Sequence, residues 1–268
     1  MSTYPQLNEL IELARRAGEI LRAHFGKEIE IRHKGPVDLV TEADHRSEEF
    51  LIAAIQERYP QHKIITEESG LLEGNPQHCW YIDPLDGTMN YAHGVPLFAV
   101  SLAYVEQDCP KLGVVYDPIH NECFSAERGK GAYLNQQRIH VSTVSKLESS
   151  LLVTGFLHSY RAKQIANLEY FRRFLLVAQG IRRFGSAALD LCYVAAGRLD
   201  GYWEIGIAPW DIAAGALIVE EAGGRVTNIN GDTNYFRPPF DLLAANPNLH
   251  FEMRAVLTGE AGATLVAL

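Results

Sequence analysis

Apolar residues recur at helical spacing near the start of the chain: Leu7, Leu10, Ile11, Ala14, Ala17, Ile20 and Leu21. This predicts an amphipathic helix over residues 5–25, ended near Gly26. Ile29 and Ile31 alternate with charged residues, as in a half-exposed strand, and Lys34-Gly35-Pro36 breaks the chain. Residues 38–41 read as short and extended. Thr41 can cap a second helix, with Asp44 three residues on in place of the usual Glu or Gln. That helix runs to about Tyr59, with Phe50, Leu51, Ala54 and Ile55 inward. Residues 63–65 form a strand whose end delivers Glu67-Glu68-Ser69-Gly70. Antiparallel strands are expected over 98–105, 111–117 and 122–127, with turns at Asp117-Pro118 and Arg128-Gly129-Lys130-Gly131. A strand over 150–154, helices over 167–177 and 186–197, and a strand over 201–204 come next. A helix over 210–222 turns Ile212, Ala213, Ala216, Leu217 and Glu220 inward and stops at Gly223-Gly224. Late strands cover 225–228 and 242–245. Helices alternate with a mainly antiparallel sheet, a layered α+β pattern and not a regular β-α-β repeat.

One stretch stands apart: Trp80-Tyr81-Ile82-Asp83-Pro84-Leu85-Asp86-Gly87-Thr88-Met89-Asn90-Tyr91. Residues 79–82 suit a buried strand, and Pro84 cannot donate a ladder hydrogen bond, so pairing is expected to stop there. Two carboxylates then stand three residues apart, followed by Gly87 and Thr88, which keep no ligand off the backbone. A helix starting near Thr88 would offer free amides to an anion. Carboxylates beside an anion need a cation between them, which favours a divalent metal on Asp83 and Asp86 with a bridging phosphate. A plain strand-turn-helix corner with solvated aspartates would carry the same letters.

Composition narrows the field. The 268 residues make one large domain or two small ones, and 47% of them are apolar, enough for a substantial core. A net charge of −9 argues against a nucleic-acid groove, yet not against an anionic substrate if metals supply positive charge. Cys79, Cys109, Cys123 and Cys192 are scattered, as buried thiols in a reducing compartment. Neither a signal peptide nor a membrane span is legible, so a soluble cytoplasmic protein is expected.

Further acids sit at the ends of elements. Glu67-Glu68 closes a strand, Asp211 lies in the first turn of one helix and Asp44 in that of another. Any one of them alone is explained by the helix dipole or a solvated corner. Together with Asp83 and Asp86 they suit hard cations, which prefer oxygen. Two such ions roughly 3.5–4 Å apart clamp a phosphoryl displacement. The ten histidines show no H-E-x-x-H and no tight cluster. Thr154-Gly155-Phe156 lacks the context of a nucleophile elbow. Ser186 reads as a helix cap, and Arg172-Arg173 and Arg182-Arg183 as solvated helix surface.

The chain resembles the inositol monophosphatases, within the wider group of metal-dependent, lithium-sensitive phosphatases. The resemblance rests on the stretch from Trp80 to Tyr91, on Trp210-Asp211-Ile212-Ala213-Ala214-Gly215 with Glu221-Ala222-Gly223-Gly224, on Val37-Asp38-Leu39-Val40-Thr41-Glu42-Ala43-Asp44, and on Glu67-Glu68-Ser69. It implies an α-β-α-β-α layered sandwich of the inositol monophosphatase and fructose-1,6-bisphosphatase type, a homodimer, and Mg²⁺ with two or three ions per site. It also implies a single catalytic domain over 1–268, with 1–147 the metal- and phosphate-binding half and 148–268 the substrate-binding half. Carried over by position, Glu67, Asp83 and the Leu85 carbonyl hold one ion, and Asp83, Asp86 and Asp211 a second. Gly87 and Thr88 amides bind phosphate. Asp44 and Thr88, with Glu67, form the catalytic group that activates water. Gly185, Ser186, Ala187, Glu204 and Asp211 face the sugar. Ala208-Pro209 stands where some animal enzymes carry a His and a Cys, a difference that bears on specificity. The expected activity is hydrolysis of myo-inositol 1-phosphate, a phosphorylated polyol, by metal-activated water. A fructose-1,6-bisphosphatase, a nucleotide 3′-phosphatase, or a binding partner of the transcription machinery are the alternatives.

Overall fold

The computed structural model describes residues 4–27, 31–33, 39–156 and 161–260. The expected break at Lys34-Gly35-Pro36, together with Val37 and Asp38, lies outside the described residues, as does most of the loop after Phe156. In chain order the elements are α1 (Leu7–His24), β1 (Ile31–His33), β2 (Leu39–Thr41), α2 (Glu42–Arg58), β3 (His62–Thr66), β4 (Gly70–Leu72), β5 (Asn75–Asp86) and α3 (Thr88–Ala92). Then come β6 (Ala99–Glu106), β7 (Cys109–Asp117), β8 (Glu122–Glu127), β9 (Gly131–Leu134), β10 (Gln137–Arg138) and β11 (Leu151–Thr154). The last are α4 (Arg161–Leu175), β12 (Gly180–Arg182), α5 (Ala187–Ala195), β13 (Gly201–Glu204), α6 (Pro209–Glu221), β14 (Arg225–Thr227), β15 (Leu242–Ala245) and α7 (Pro247–Thr258).

Two large sheets, not one, organise the chain. The first has eight strands in the order β10-β9-β8-β7-β6-β5-β3-β4, antiparallel except where β3 meets β5. The second has five, β12-β11-β13-β15-β14, and its β12-β11-β13 side is parallel. Pairing over the described strands is mainly antiparallel, as expected; the crossover from β11 through α4 to β12 makes one of the parallel pairs, a connection that letters alone do not reveal.

Strand alternation builds five layers around three cores. On the first sheet, Val100, Leu102, Tyr104, Val114 and Tyr116 face α1 and α2. Ala99, Ala103, Val115, Phe124 and Ala126 face the other way, onto α5 and α6. On the second sheet, Val153, Tyr202, Leu242 and Ala244 close on α5 and α6 from the opposite side. Leu152, Trp203, Leu243 and Ala245 meet α4 and α7. The layers run α-β-α-β-α. Helix α6 lies in the middle, so Ile212 through Val219 are all buried, not one stripe of them. It fits because its neighbours are small: a Cβ on Gly113 would stand 3.0 Å from Ala214. Glu220 is only half-buried and pairs with Arg128 at 2.6 Å.

Three expectations need correction. Pairing does not stop at Pro84. Asp83 opposes Ser101, Pro84 and Leu85 are skipped, and Asp86 pairs again opposite Ala99. The missing proline donor produces a bulge, not an end. Two of the ten histidines do meet: His62 and His78 stack at 5.0 Å, flanked by Tyr59 and Tyr104, and the Trp80 indole donates to His62 Nδ1 at 3.1 Å. The register shift between His62 and Lys63 brings these rings together. Arg182 and Arg183 are not on a helix; Arg182 ends β12. Helix α4 begins earlier than expected, and α7, β4, β9, β10 and β12 are additional.

Candidate active site

Three elements end at one cleft of about 200 Å³ between the sheets. The C-terminal end of β5 supplies Asp83, Leu85 and Asp86, the segment after β3 supplies Glu67, and the first turn of α6 supplies Asp211. Gly87, Thr88, Gly185, Ser186, Ala187 and Glu204 complete the expected set on its walls. Asp44 is the exception. It is fully buried behind Thr88 and does not line the cleft.

The bulge at Pro84 explains how Asp83 and Asp86 reach the same space. Skipping two residues restores the ladder and keeps both carboxylates at the sheet's end. Gly87 follows with φ 94°, a left-handed conformation, and a Cβ there would stand 3.0 Å from the Leu97 carbonyl. Only glycine meets both conditions, and it lets α3 start directly after Asp86.

Asp83, Asp86 and Asp211 are anchored by backbone amides. The Leu85 amide donates to Asp83 Oδ1 at 3.0 Å and the Ala208 amide to Asp211 Oδ2 at 3.2 Å. Asp86 Oδ2 accepts from the Ser186 hydroxyl at 2.6 Å and the Ala188 amide at 2.7 Å, so the start of α5 is fastened to the end of β5. Ser186 Oγ also accepts from the Leu189 amide at 3.4 Å, the expected cap. Its hydroxyl is thus committed to Asp86. Asn90 joins the same halves by donating to the carbonyls of Leu97 and Phe184, at 2.8 and 2.7 Å.

Burial and mutual repulsion act on these groups together. The Asp83 carboxyl lies well above the ordinary carboxylate range because it is desolvated and faces Glu67, Asp86 and Asp211. Asp211 is raised by desolvation and by Asp86, Glu67 and Glu204. Burial lifts Asp86 to about 6, against hydrogen bonds from Ser186 and Ala188. A site that crowds carboxylates against their solvation wants a cation. Among the described residues, no three His, Cys, Asp or Glu side chains are gathered closely enough to form an ion cage by themselves. The donor set, all oxygen, is of the kind that hard cations prefer.

Thr88 links the cleft to Asp44. Its hydroxyl lies 3.0 Å from the Leu85 carbonyl and 3.2 Å from Asp44 Oδ1. One proton serves two acceptors. Asp44 Oδ2 meanwhile accepts from the amide and hydroxyl of Thr41, at 2.8 and 2.5 Å, the capping box of α2. Burial raises its carboxyl above the usual range, opposed by the Thr41 and Thr88 bonds.

Four neighbours lie outside the expected set of site residues. Asp190, buried on α5, lines the cleft, and its Oδ1 has no hydrogen-bond partner. Arg183 also lines it, with its guanidinium 5.7 Å from the Phe156 ring centre. Neither sits in a motif; Asp190 looks like an ordinary acid in a helix first turn. Gly155 gives way to Glu204, whose carboxylate would stand 2.1 Å from a Cβ at that position. Glu48 lies behind the site and holds Glu67's segment. It accepts from the Thr66 hydroxyl at 2.6 Å, from the Glu68 and Ser69 amides at 3.1 Å each, and from the Ser69 hydroxyl. Glu48→Ala strands four donors in a buried place. Stability is expected to fall by at least about 2 kcal/mol in urea unfolding, while Glu48→Gln, whose amide oxygen still accepts, loses less. Equal losses would show that the acceptor is not what matters.

Glu204, at 6% exposure, is no surface acid. Its Oε2 accepts from the Tyr202 hydroxyl at 2.8 Å, and burial pushes its carboxyl up to about 7. A folded pKa above the unfolded value means that this group's stabilisation is present in acid and is lost as pH rises toward 7. Glu204→Gln keeps the acceptor and removes the charge. It should melt higher than the parent at pH 8 and alike at pH 4; an unchanged difference across that range would deny the burial cost.

The sequence profile of the inositol monophosphatase family matches residues 5–262. The chain belongs to the inositol monophosphatase family. Relatives include "Nus factor SuhB" of Escherichia coli K12, 44% identical over 96% of this chain and 97% of that protein. "Inositol-1-monophosphatase" of Mesorhizobium japonicum is 42% identical, covering 84% and 86%. The crystal structure of extragenic suppressor protein suhB from Bartonella henselae superposes with a TM-score of 0.89 at 40% identity, covering 93% of this chain and 97% of that one. The family assignment agrees with the layered fold. Among the described residues, no helix is long and apolar enough to cross a membrane.

Proposed function

We propose that this member of the family is a Mg²⁺-dependent phosphomonoesterase that hydrolyses myo-inositol 1-phosphate to myo-inositol and phosphate. One observation carries the reading: Glu67, Asp83, Asp86 and Asp211 meet in a single cleft whose wall also holds Thr88 against a buried Asp44. Glu67, Asp83 and the Leu85 carbonyl would hold one ion, and Asp83, Asp86 and Asp211 another. When bound, the ions neutralise phosphate oxygens and acidify water. The chain's own groups do the rest. Gly87 and Thr88 amides cradle phosphate at the turn. Thr88 accepts a proton from water while passing its own to Asp44, turning away from the Leu85 carbonyl. Glu204, a carboxylate on a rigid strand end, accepts from sugar hydroxyls, with Gly185, Ser186 and Ala187 shaping that wall.

Among the described residues, Arg183 is the one lysine or arginine on the cleft wall. A bisphosphate needs a second basic pocket, so a monophosphate is favoured over fructose 1,6-bisphosphate or a nucleotide 3′-phosphate. The name of the Mesorhizobium relative supports the inositol ester. Phosphate release with Mg²⁺, compared across inositol 1-phosphate, fructose 1,6-bisphosphate, adenosine 3′,5′-bisphosphate and NADP, tests the choice. The inositol ester should show the highest kcat/KM. A bisphosphate ahead of it would move the protein elsewhere in the superfamily.

A second reading, a binding partner of the transcription machinery, is favoured by the name "Nus factor" that several relatives carry. That name weighs against the expectation, drawn from a net charge of −9, that nucleic acid plays no part. The homodimer and the cytoplasmic location stay part of the proposal, and light scattering tests the former.

A further inference from the structure

A second cavity, of about 220 Å³, opens between β14, the turn after it and α7, and shares no residue with the cleft. Alternation on β14 makes it. Val226 points into the central core, so Arg225 and Thr227 point toward α7. Helix α7 contributes His250, Phe251 and Arg254, and Gly231 lets the turn approach, since a Cβ there would lie 3.0 Å from Arg254 Cδ. Among the described residues, no carboxylate lines it.

Thr227 Oγ1 lies 2.7 Å from the Asn228 carbonyl, to which it can donate, and 2.9 Å from Nε2 of His250, a side chain at 2% exposure. Two guanidiniums flank it. Among the described residues, the Arg225 side chain has no hydrogen bond or ion pair, and Arg254 meets a carboxylate only in Glu260, at 3.4 Å in an exposed pair. On a chain with net charge −9, a concave site with two arginines and no lining acid is out of keeping with its surroundings.

We propose that this cavity binds a tetrahedral oxyanion between the guanidiniums of Arg225 and Arg254. A guanidinium fork matches the oxygens of phosphate or sulfate, and one anion relieves the repulsion between two arginines. The space equals roughly seven waters at about 30 Å³ each, room for one such anion and part of its hydration. The proposal is independent of the phosphatase reading. It has a second consequence. Burial first, and Arg225 and Arg254 next, hold His250 down to about 4. Neutralising both cations raises its affinity for a proton. Among the described residues, the charged groups that act on His250 are Arg225 from β14 and Arg254 from its own helix, with Glu260 beyond the latter.

The test uses the full chain in a chelating buffer at fixed ionic strength, with inorganic phosphate and sulfate as probes and chloride as control. Calorimetry should show saturable binding of both oxyanions and none of chloride. The His250 ring resonances, assigned through His250→Gln, should titrate at higher pH when phosphate is present. Arg225→Gln and Arg254→Gln should each weaken binding at least tenfold. Arg225 is exposed, so its variant decides the matter if the other fails to fold. No saturable heat, or phosphate binding that is unchanged in Arg225→Gln, would overturn the assignment.

Discussion

Asp86→Asn and Asp211→Asn each lower turnover by about 10²-fold or more at saturating Mg²⁺, since a bound cation is worth several kcal/mol at the transition state. The structure adds a control to this expectation. In Asp86→Asn the amide oxygen can still accept from Ser186 and Ala188, so α5 keeps its anchor. The folded protein without cations should also lose nothing, and should gain. Burial lifts the Asp86 carboxyl to about 6, so its destabilising charge develops as pH rises through that value. Above it the neutral side chain removes that cost, and the variant should melt at or above the parent in chelator. Added Mg²⁺ should then stabilise the parent more than the variant. Near-normal turnover, or equal stabilisation of both by Mg²⁺, removes that residue from the set that holds the cations.

Asp44→Asn should cost about 10²–10⁴-fold in kcat, the usual scale for loss of a general base, with KM little changed. Asp44 has a competing explanation, because it completes the capping box of α2. The two roles divide between its oxygens: Oδ2 takes the Thr41 bonds and Oδ1 faces Thr88. Asparagine keeps one oxygen for the cap and turns a poor base toward Thr88, so melting should barely move. Thr88→Ala should behave alike in kcat. The double variant should lose far less than the product of the single losses, as groups acting in one relay do. Burial raises the Asp44 carboxyl, so a base there gains its charge above the usual carboxylate range and the acid limb of the pH–rate profile should sit correspondingly high. That limb should vanish in Asp44→Asn. Early melting with normal turnover per folded molecule would make Asp44 a cap and nothing more.

What the letters disclosed follows from range. The cap at Thr41 and Asp44 spans three residues, and the strands 122–127, 201–204 and 242–245 are bounded by local turn chemistry, so all were legible. The acids were legible because each sits where an element ends, and their meeting was implied by resemblance. Asp190 and Arg183 were not, since their nearness to Glu204 arises only when α5 and β13 pack across the second sheet. Glu48 reads as one of several helix acids until Thr66 and Ser69 close on it from β3 and the turn after it. The His62–His78 stack needs a register shift that no local pattern encodes. The uniform burial of α6 lies outside local pattern for a related reason: two sheets cover the whole helix, so no single apolar stripe marks its buried face.

The central claim is that cations held by Glu67, Asp83, Asp86 and Asp211 allow this cleft to hydrolyse a polyol monophosphate. Phosphate release from myo-inositol 1-phosphate, followed in chelator and again after Mg²⁺ is restored, tests it most directly. Release should be absent in chelator, return with Mg²⁺, and fail to return in Asp86→Asn. Release that persists undiminished in chelator, or that never appears with Mg²⁺ from well-folded protein, would contradict it.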